Sequence, residues 1–206
     1  MKNILLTGLV LFSSCLLFAS CEKELPEDAV FDPRYPETEA IVEKANDVLK
    51  EADKIFMRSN YLVELYLKTA SEKRIVQVPN FEQVPADLAA VYNIIRNKEG
   101  NVLYVAEFPY SESGDWENIY ESIYDDKGDL LLFVRKSSFL HEGVVVYEKS
   151  SYYYNEKHRL VKKEYLIKYG SASVLPQGVT VEFNYRFPYE KFKTRKKWLK
   201  AHGLKK

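Results

Sequence analysis

Between residues 38 and 58 the apolar positions fall in columns seven apart: Ile41, Val48 and Ile55; Val42, Leu49 and Phe56; Ala45 and Ala52. Adjacent columns of this kind make one broad apolar stripe on a helix, and Glu43, Lys44, Asp47, Lys50, Glu51 and Lys54 fill the remaining circumference. Thr38 stands where an N-cap side chain accepts a free amide. The stripe could seat a partner helix, but so short a run with alanine at two sites suits packing on a sheet of the same chain better. From Tyr61 the period changes to two: Tyr61, Val63, Leu65 and Leu67 alternate with more polar neighbours. Neither glycine nor proline intervenes, so a continued helix is the competing reading there. A turn over 69–74, a second strand over 75–78, a loop bracketed by Pro79 and Pro85, and a strand over 88–96 complete the first half.

The second half repeats one turn pattern. Asn97-Lys98-Glu99-Gly100-Asn101 precedes Val102-Leu103, Asp125-Asp126-Lys127-Gly128-Asp129 precedes Leu130-Leu131, and Asn155-Glu156-Lys157-His158-Arg159 precedes Leu160-Val161. The spacings of 28 and 30 residues are what two strands and two connections consume. Asn or Asp opens each turn through its side chain, and glycine supplies a positive φ in the first two. His158 takes the glycine's place in the third. These turns resemble those of YD-type β-repeats, without their fixed period, and no function is carried over. Alternation then marks strands at Val161, Tyr165, Ile167 and Tyr169, and at Val179, Val181, Phe183, Tyr185 and Phe187. One buried and one wet face is the mark of an antiparallel sheet, and no crossover helices fit between the strands. The expected fold class is α+β, mainly β: an N-terminal helix packed on a strongly twisted antiparallel β-meander of about seven to nine strands.

Composition narrows the functional classes. The chain has 206 residues, 46% of them hydrophobic, which is globular rather than disordered. Thirty basic residues balance thirty acidic ones, so nucleic acid is not an expected partner. Sixteen Tyr and eleven Phe against eight Gly favour strands over glycine-rich phosphate loops.

The first twenty residues stand apart. Lys2 precedes an apolar run from Ile4 to Ala19, short for a spanning helix but suited to a signal peptide. The run ends in Leu17-Phe18-Ala19-Ser20-Cys21, followed by Glu22-Lys23-Glu24. This resembles the type II signal peptide, or lipobox, of bacterial lipoproteins, in the looser form found in Bacteroidota, with Phe18 where Leu is commonest. The resemblance implies lipidation at Cys21: diacylglycerol on the sulfur and a fatty acyl group, such as palmitate, on the new amino terminus. It also implies a lipid-anchored place in the cell envelope, at the outer membrane, facing either the periplasm or the outside. Ordinary secretory cleavage before Cys21 would put bulky Phe18 where a small residue is wanted. Lipidation at Cys15, after Phe12-Ser13-Ser14, would leave Leu16-Leu17-Phe18 in the mature chain.

The expected organisation is a signal peptide over 1–20, a lipid-anchored acidic tether over 21–37, one α+β domain over 38–189 and a basic tail over 190–206. The tether carries Glu22, Glu24, Glu27, Asp28, Asp32 and Glu37 with Pro26, Pro33 and Pro36. After removal of 1–20 the only cysteine is Cys21, so an apolar core rather than a disulfide must hold the fold.

Candidate chemistry is sparse. His141, His158 and His202 lie far apart without ligand spacing, so no metal or cofactor is expected, and no Gly-x-Ser-x-Gly or Walker-type loop occurs. Loop 110–117 combines Tyr110 and Trp116 with Glu112, Asp115 and Glu117, which suits a glycan stack, a calcium ion or a carboxylate pair, or a polar hairpin with Trp116 folded on the core. Tyr152, Tyr153 and Tyr154 put aromatics on both faces of a strand and offer a binding surface, or only good strand formers. The tail from 190 to 206 holds eight basic residues against Glu190 alone. Lys193, Arg195, Lys196, Lys197 and Lys200 could bind an anion, or the tail could lie on an acidic body, with Phe192, Trp198 and Leu199 as a docking edge. The leading functional expectation is a non-enzymatic binding module whose partner is the membrane through acylated Cys21, together with an envelope protein, a glycan or an anionic lipid. The alternatives are a carrier holding an apolar ligand between helix and sheet, and a carboxylate-dependent hydrolase.

Overall fold

The computed structural model describes residues 30–31, 36–58, 63–72, 74–80, 84–170 and 191–204. Cys15, Cys21, the alternation starting at Tyr61 and the strand expected over 179–187 lie, in whole or in part, outside them. Nine strands are described: β1 (Val30–Phe31), β2 (Val63–Thr69), β3 (Val76–Val78), β4 (Leu88–Arg96), β5 (Val102–Pro109), β6 (Trp116–Tyr124), β7 (Leu130–His141), β8 (Val144–Tyr154) and β9 (Leu160–Tyr169). Helices α1 (Thr38–Arg58) and α2 (Arg195–Ala201) accompany them. All strands join one sheet in the order β1-β9-β8-β7-β6-β5-β4-β2-β3, and every pairing is antiparallel. The fold class is therefore α+β, mainly β.

Helix α1 and strand β4 have the bounds that their periodicity predicts. Strand β3 begins one residue later than expected. The amide of Ile75 donates to the carbonyl of His202 at 3.3 Å, so that residue serves the C-terminal segment instead of the ladder. Strand β1 is unexpected: two residues inside the stretch read as tether pair with β9, Val30 opposite Lys163 and Phe31 opposite Lys162.

Alternation divides the side chains between two faces. On one, Ala45 and Ala52 of α1 share a buried cluster with Leu67, Val91, Ile95, Ala106, Ile119, Val134 and Tyr153. On the other, Tyr92, Ile94, Val105, Tyr120, Tyr124 and Phe133 are buried with Trp198 and Leu199 of α2. Helix α2 starts at Thr194, whose hydroxyl accepts from the amide of Lys197 at 3.3 Å. Its arrival is fixed by backbone bonds from Leu130 to Lys193 (3.1 Å) and from Arg195 to Gly128 (2.8 Å). Trp198, 1% exposed, stacks on His202 at 4.4 Å and meets Tyr92 edge-on at 6.3 Å.

The three repeated turns are one structure used three times. In each, the first and fifth residues pair through the backbone: Asn97 to Asn101 (2.8 Å), Asp125 to Asp129 (2.9 Å) and Asn155 to Arg159 (3.0 Å). The opening side chain accepts from the amide of the fifth residue at 2.8, 2.9 and 3.0 Å. The fourth residue is left-handed every time: Gly100 at φ 79°, Gly128 at 90° and His158 at 56°. The register beyond each turn slips by one, with the shifts at Ile95/Arg96, Ile123/Tyr124 and Tyr153/Tyr154. Each bulge absorbs the second apolar residue after the turn, which is Leu103, Leu131 or Val161. Such a bulge sharpens local twist and re-aims the residues that follow it.

Candidate functional site

The bulge in the last hairpin decides what faces Tyr152. Without it, counting back from the Tyr154–Leu160 pair would set Tyr152 opposite Lys162; with it, Tyr152 pairs with Lys163 and Tyr153 with Lys162. Two lysines of the described structure then meet over one ring. The Lys163 ammonium lies 5.7 Å from the Tyr152 ring centre and that of Lys191 lies 4.0 Å from it. Lys191 is also 5.0 Å from the Phe133 ring and 3.4 Å from the Tyr154 hydroxyl. The aromatic floor continues inward, Tyr152 to Phe133 at 6.0 Å and Phe133 to Tyr120 at 6.4 Å with nearly parallel planes. Both lysines are exposed, whereas Tyr152 and Tyr154 are half-buried.

The electrostatics of this corner are cationic. Burial pushes the Lys191 ammonium below its ordinary range, and the neighbouring Arg135 and Lys163 push it further. Glu148 is the carboxylate beside them, and one of its oxygens is taken by Arg135 at 2.7 Å. The same carboxylate presses on Tyr165: burial first, then Glu148, raises that phenol to about 12. Cations over aromatic faces are attracted by the ring quadrupole, which favours the approach of Lys163 and Lys191 to the floor.

The other residues singled out by sequence are dispersed. Tyr153 points to the opposite face, 4% exposed, and its hydroxyl donates to Glu164 at 3.0 Å. Tyr110, 46% exposed, and half-buried Trp116 stand at the far end of the sheet. Trp116 pairs with Phe139, and Phe139 with Val146, six residues along β8 from Tyr152 or roughly 20 Å of strand. The five expected aromatics therefore do not form one surface. Among the tail residues, Lys193, Lys196, Lys197 and Lys200 are exposed, but Arg195 is not. Its guanidinium is turned inward, donating to the carbonyls of Val102 (3.2 Å) and Asp126 (3.5 Å), so it joins two turns instead of awaiting an anion.

A second concentration of charge lies on the α1 face. Glu121, 6% exposed, accepts from the Tyr104 hydroxyl and from the Lys136 ammonium, both at 2.8 Å. Burial works against its charge, but Lys136, Tyr104 and Lys149 outweigh it and hold the carboxyl below its ordinary range. Nearby Asp53 of α1 is raised by burial against the pull of Lys136. Burial lowers Lys149 and, opposed by Lys136, lifts Tyr147 to about 12. The space beside this group, between Glu117, Lys136, Ser138 and Tyr147, has about 10 Å³, room for about one water. A wider groove of about 500 Å³ opens to solvent along the first turns of α1, where Glu39, Glu43 and Asp47 face Lys162. Neither space is an enclosed apolar chamber.

Glu112 and Asp115 are exposed, Glu117 lies half-buried on the α1 face, and no histidine joins them. His141 meets Tyr169 edge-on at 6.3 Å, His158 sits in the last repeated turn, and His202 is buried under α2. Among the described residues, no group of three His, Cys, Asp or Glu side chains could hold a metal ion.

Two members of the Tyr152 corner, Lys163 and Lys191, were not distinguished by sequence. Lys163 is one of several lysines in a strand whose register a bulge sets, and Lys191 is one of several basic residues near the C-terminus, with no spacing that links it to Tyr152. No helix among the described residues is long and apolar enough to cross a membrane. No protein-family model matches the sequence, and no curated protein or solved structure is measurably similar to it.

Proposed function

We propose that this chain is a lipid-anchored protein of the bacterial cell envelope, acylated at Cys21 and held at the outer membrane, whose folded domain is a non-enzymatic binding module. The observation that carries this reading is the lipobox-like Leu17-Phe18-Ala19-Ser20-Cys21, placed where an apolar run gives way to charge. Strand β1 supports it. Only residues 22–29 separate Cys21 from the first sheet pair, at Val30. Even fully extended, that connection spans no more than about 32 Å, so the β1–β9 edge would stand close to the bilayer.

The binding part of the proposal rests on the cationic aromatic corner, since an exposed lysine pair over tyrosine suits an envelope protein, glycan or anionic lipid. Helix α1 is read as the cover of a twisted meander, its alanines allowing close approach and the three bulges supplying the twist. With the space beside Glu117 and Lys136 so small, hydrolysis draws no support from it. The test is radioactive palmitate labelling in bacterial cells. Labelling is expected to disappear in Cys21→Ser and to persist in Cys15→Ser; unchanged labelling of Cys21→Ser refutes the anchor.

A further inference from the structure

Two observations meet at Lys163. It is the residue that pairs with Val30, where the chain coming from Cys21 joins the sheet. It is also one of the two lysines over Tyr152. We propose that Lys163 and Lys191, over the Tyr152 ring, form a docking site for the phosphate of an anionic membrane lipid. The proximity part of the argument rests on the anchored reading above; the chemical part does not.

From their distances to one ring centre, the two ammonium groups are at most about 10 Å apart. A phosphate presents several acceptor oxygens and can take a hydrogen bond from each lysine. A neutral glycan would use the ring and leave the mutual repulsion of the cations in place. The Glu148 carboxylate, four residues along β8 from Tyr152, is engaged by Arg135 at 2.7 Å. Among the described residues no carboxylate forms an ion pair with Lys163 or Lys191, and an incoming anion would offset the repulsion that Arg135 and Lys163 impose on Lys191. Tyr152 adds an apolar side with a polar tip, which suits the boundary between headgroup and acyl chain. The occupant is a lipid rather than a free phosphate because of position. A fully extended connection of residues 22–29 keeps the corner within a few nanometres of any bilayer holding Cys21. Once the corner comes within a Debye length of the surface, about 8–10 Å, anionic headgroups attract each lysine with an effect worth roughly a fivefold change in affinity.

The experiment uses the chain from residue 21 onward, which retains every described residue, with Cys21→Ser so that no acyl group contributes. Sedimentation with phosphatidylcholine vesicles containing roughly one-third phosphatidylglycerol is compared with pure phosphatidylcholine. The unmodified domain is expected to bind only the anionic vesicles. The double variant Lys163→Gln, Lys191→Gln is expected to lose roughly thirtyfold in affinity, while Lys196→Gln, Lys200→Gln loses less than about threefold. Thermal melts show whether each variant is folded, and the charge-retaining pair Lys163→Arg, Lys191→Arg should keep vesicle binding. Equal binding to both vesicle types, equal losses in the two glutamine pairs, or loss in the arginine pair would each overturn the proposal. If vesicle binding behaves as expected while Cys21→Ser still takes up palmitate, the anchor assignment fails and the lipid site stands. The reverse pattern removes the lipid site alone.

Discussion

His158 holds in the last repeated turn the place that Gly128 holds in the one before it, left-handed at φ 56° against 90°, and its Nε2 lies 3.7 Å from the Asp129 carboxylate in that preceding turn. A side chain in the left-handed region costs about 1–2 kcal/mol, offset in part by the smaller entropy that a non-glycine residue loses on folding. His158→Gly is therefore expected to stabilise the domain by about 0.5–1 kcal/mol in urea unfolding. A loss of stability would mean that the contact with Asp129 is worth more than the strain.

The converse substitutions separate strain from crowding. A Cβ on Gly100 meets nothing within 4 Å, whereas one on Gly128 comes within 3.2 Å of the Arg195 guanidinium. Gly100→Ala is expected to cost about 1 kcal/mol, the conformational share alone. Gly128→Ala should cost about 2–3 kcal/mol, since Arg195 must move as well. Equal costs, measured by denaturant titration, would show that Arg195 yields freely.

Arg195 and Trp198, three residues apart and both buried, fix the C-terminal helix on the sheet. Trp198→Ala should cost about 3–5 kcal/mol, the range for removing a buried large aromatic side chain. Arg195→Lys keeps the charge but not the fork that reaches Val102 and Asp126, and should cost about 1–2 kcal/mol. Trypsin is then expected to cut between Lys191 and Lys200 in both variants well before it attacks the sheet.

Glu121 and Glu107 are expected to bend the pH profile in opposite directions. The Glu121 carboxyl is lower in the folded state than its ordinary 4.5, so its stabilisation is present above that value and is lost as pH falls through the folded pKa. Glu107 is raised, by burial against the pull of Tyr92 and Lys68, so its contribution is present below 4.5 and is lost as pH rises through its folded pKa. Glu121→Gln should flatten the acid limb of a stability profile. Glu107→Gln should improve relative to the parent between acid and neutral pH. Parallel profiles for the two variants would contradict both assignments.

The Glu121–Lys136 pair can be weighed by a double-mutant cycle. Glu121→Met leaves the Lys136 ammonium without the carboxylate it donates to and should cost about 3 kcal/mol, at the low end because Lys136 keeps 20% of its surface in water. Adding Lys136→Met should recover part of that loss. Additive losses would mean the pair is not coupled.

Much of the fold was legible in the sequence because it is carried by local periods. The columns of Ile41, Val42 and Ala45 define α1, and Asn97, Asp125 and Asn155 announce the turns with side chains that bond their own backbone. The left-handed φ of His158 was not legible, since nothing in its identity demands it. Strand β1 was hidden because Val30 and Phe31 are too few to show a period and stand among prolines and acids. Arg195 stands among lysines as a candidate for binding an anion; its inward turn depends on the carbonyls of Val102 and Asp126, 93 and 69 residues away. The Tyr152 corner was half legible. The tyrosines were visible, but the lysines that complete the corner depend on a register shift and on a segment returning from the far end of the chain.

The order of the strands also sets an order in time. From β5 to β9 each strand pairs with the one made just before it, so these hairpins need only short loops to close and can form as the chain emerges. Val30 cannot do so. Its partner, Lys163, is 133 residues downstream, and no strand synthesised earlier offers that edge. The pairing of Val30 and Phe31 must therefore wait until nearly the whole sheet exists. The strand that comes first in the sequence is thus the last to gain its place in the sheet, and β9 keeps an open edge until it does.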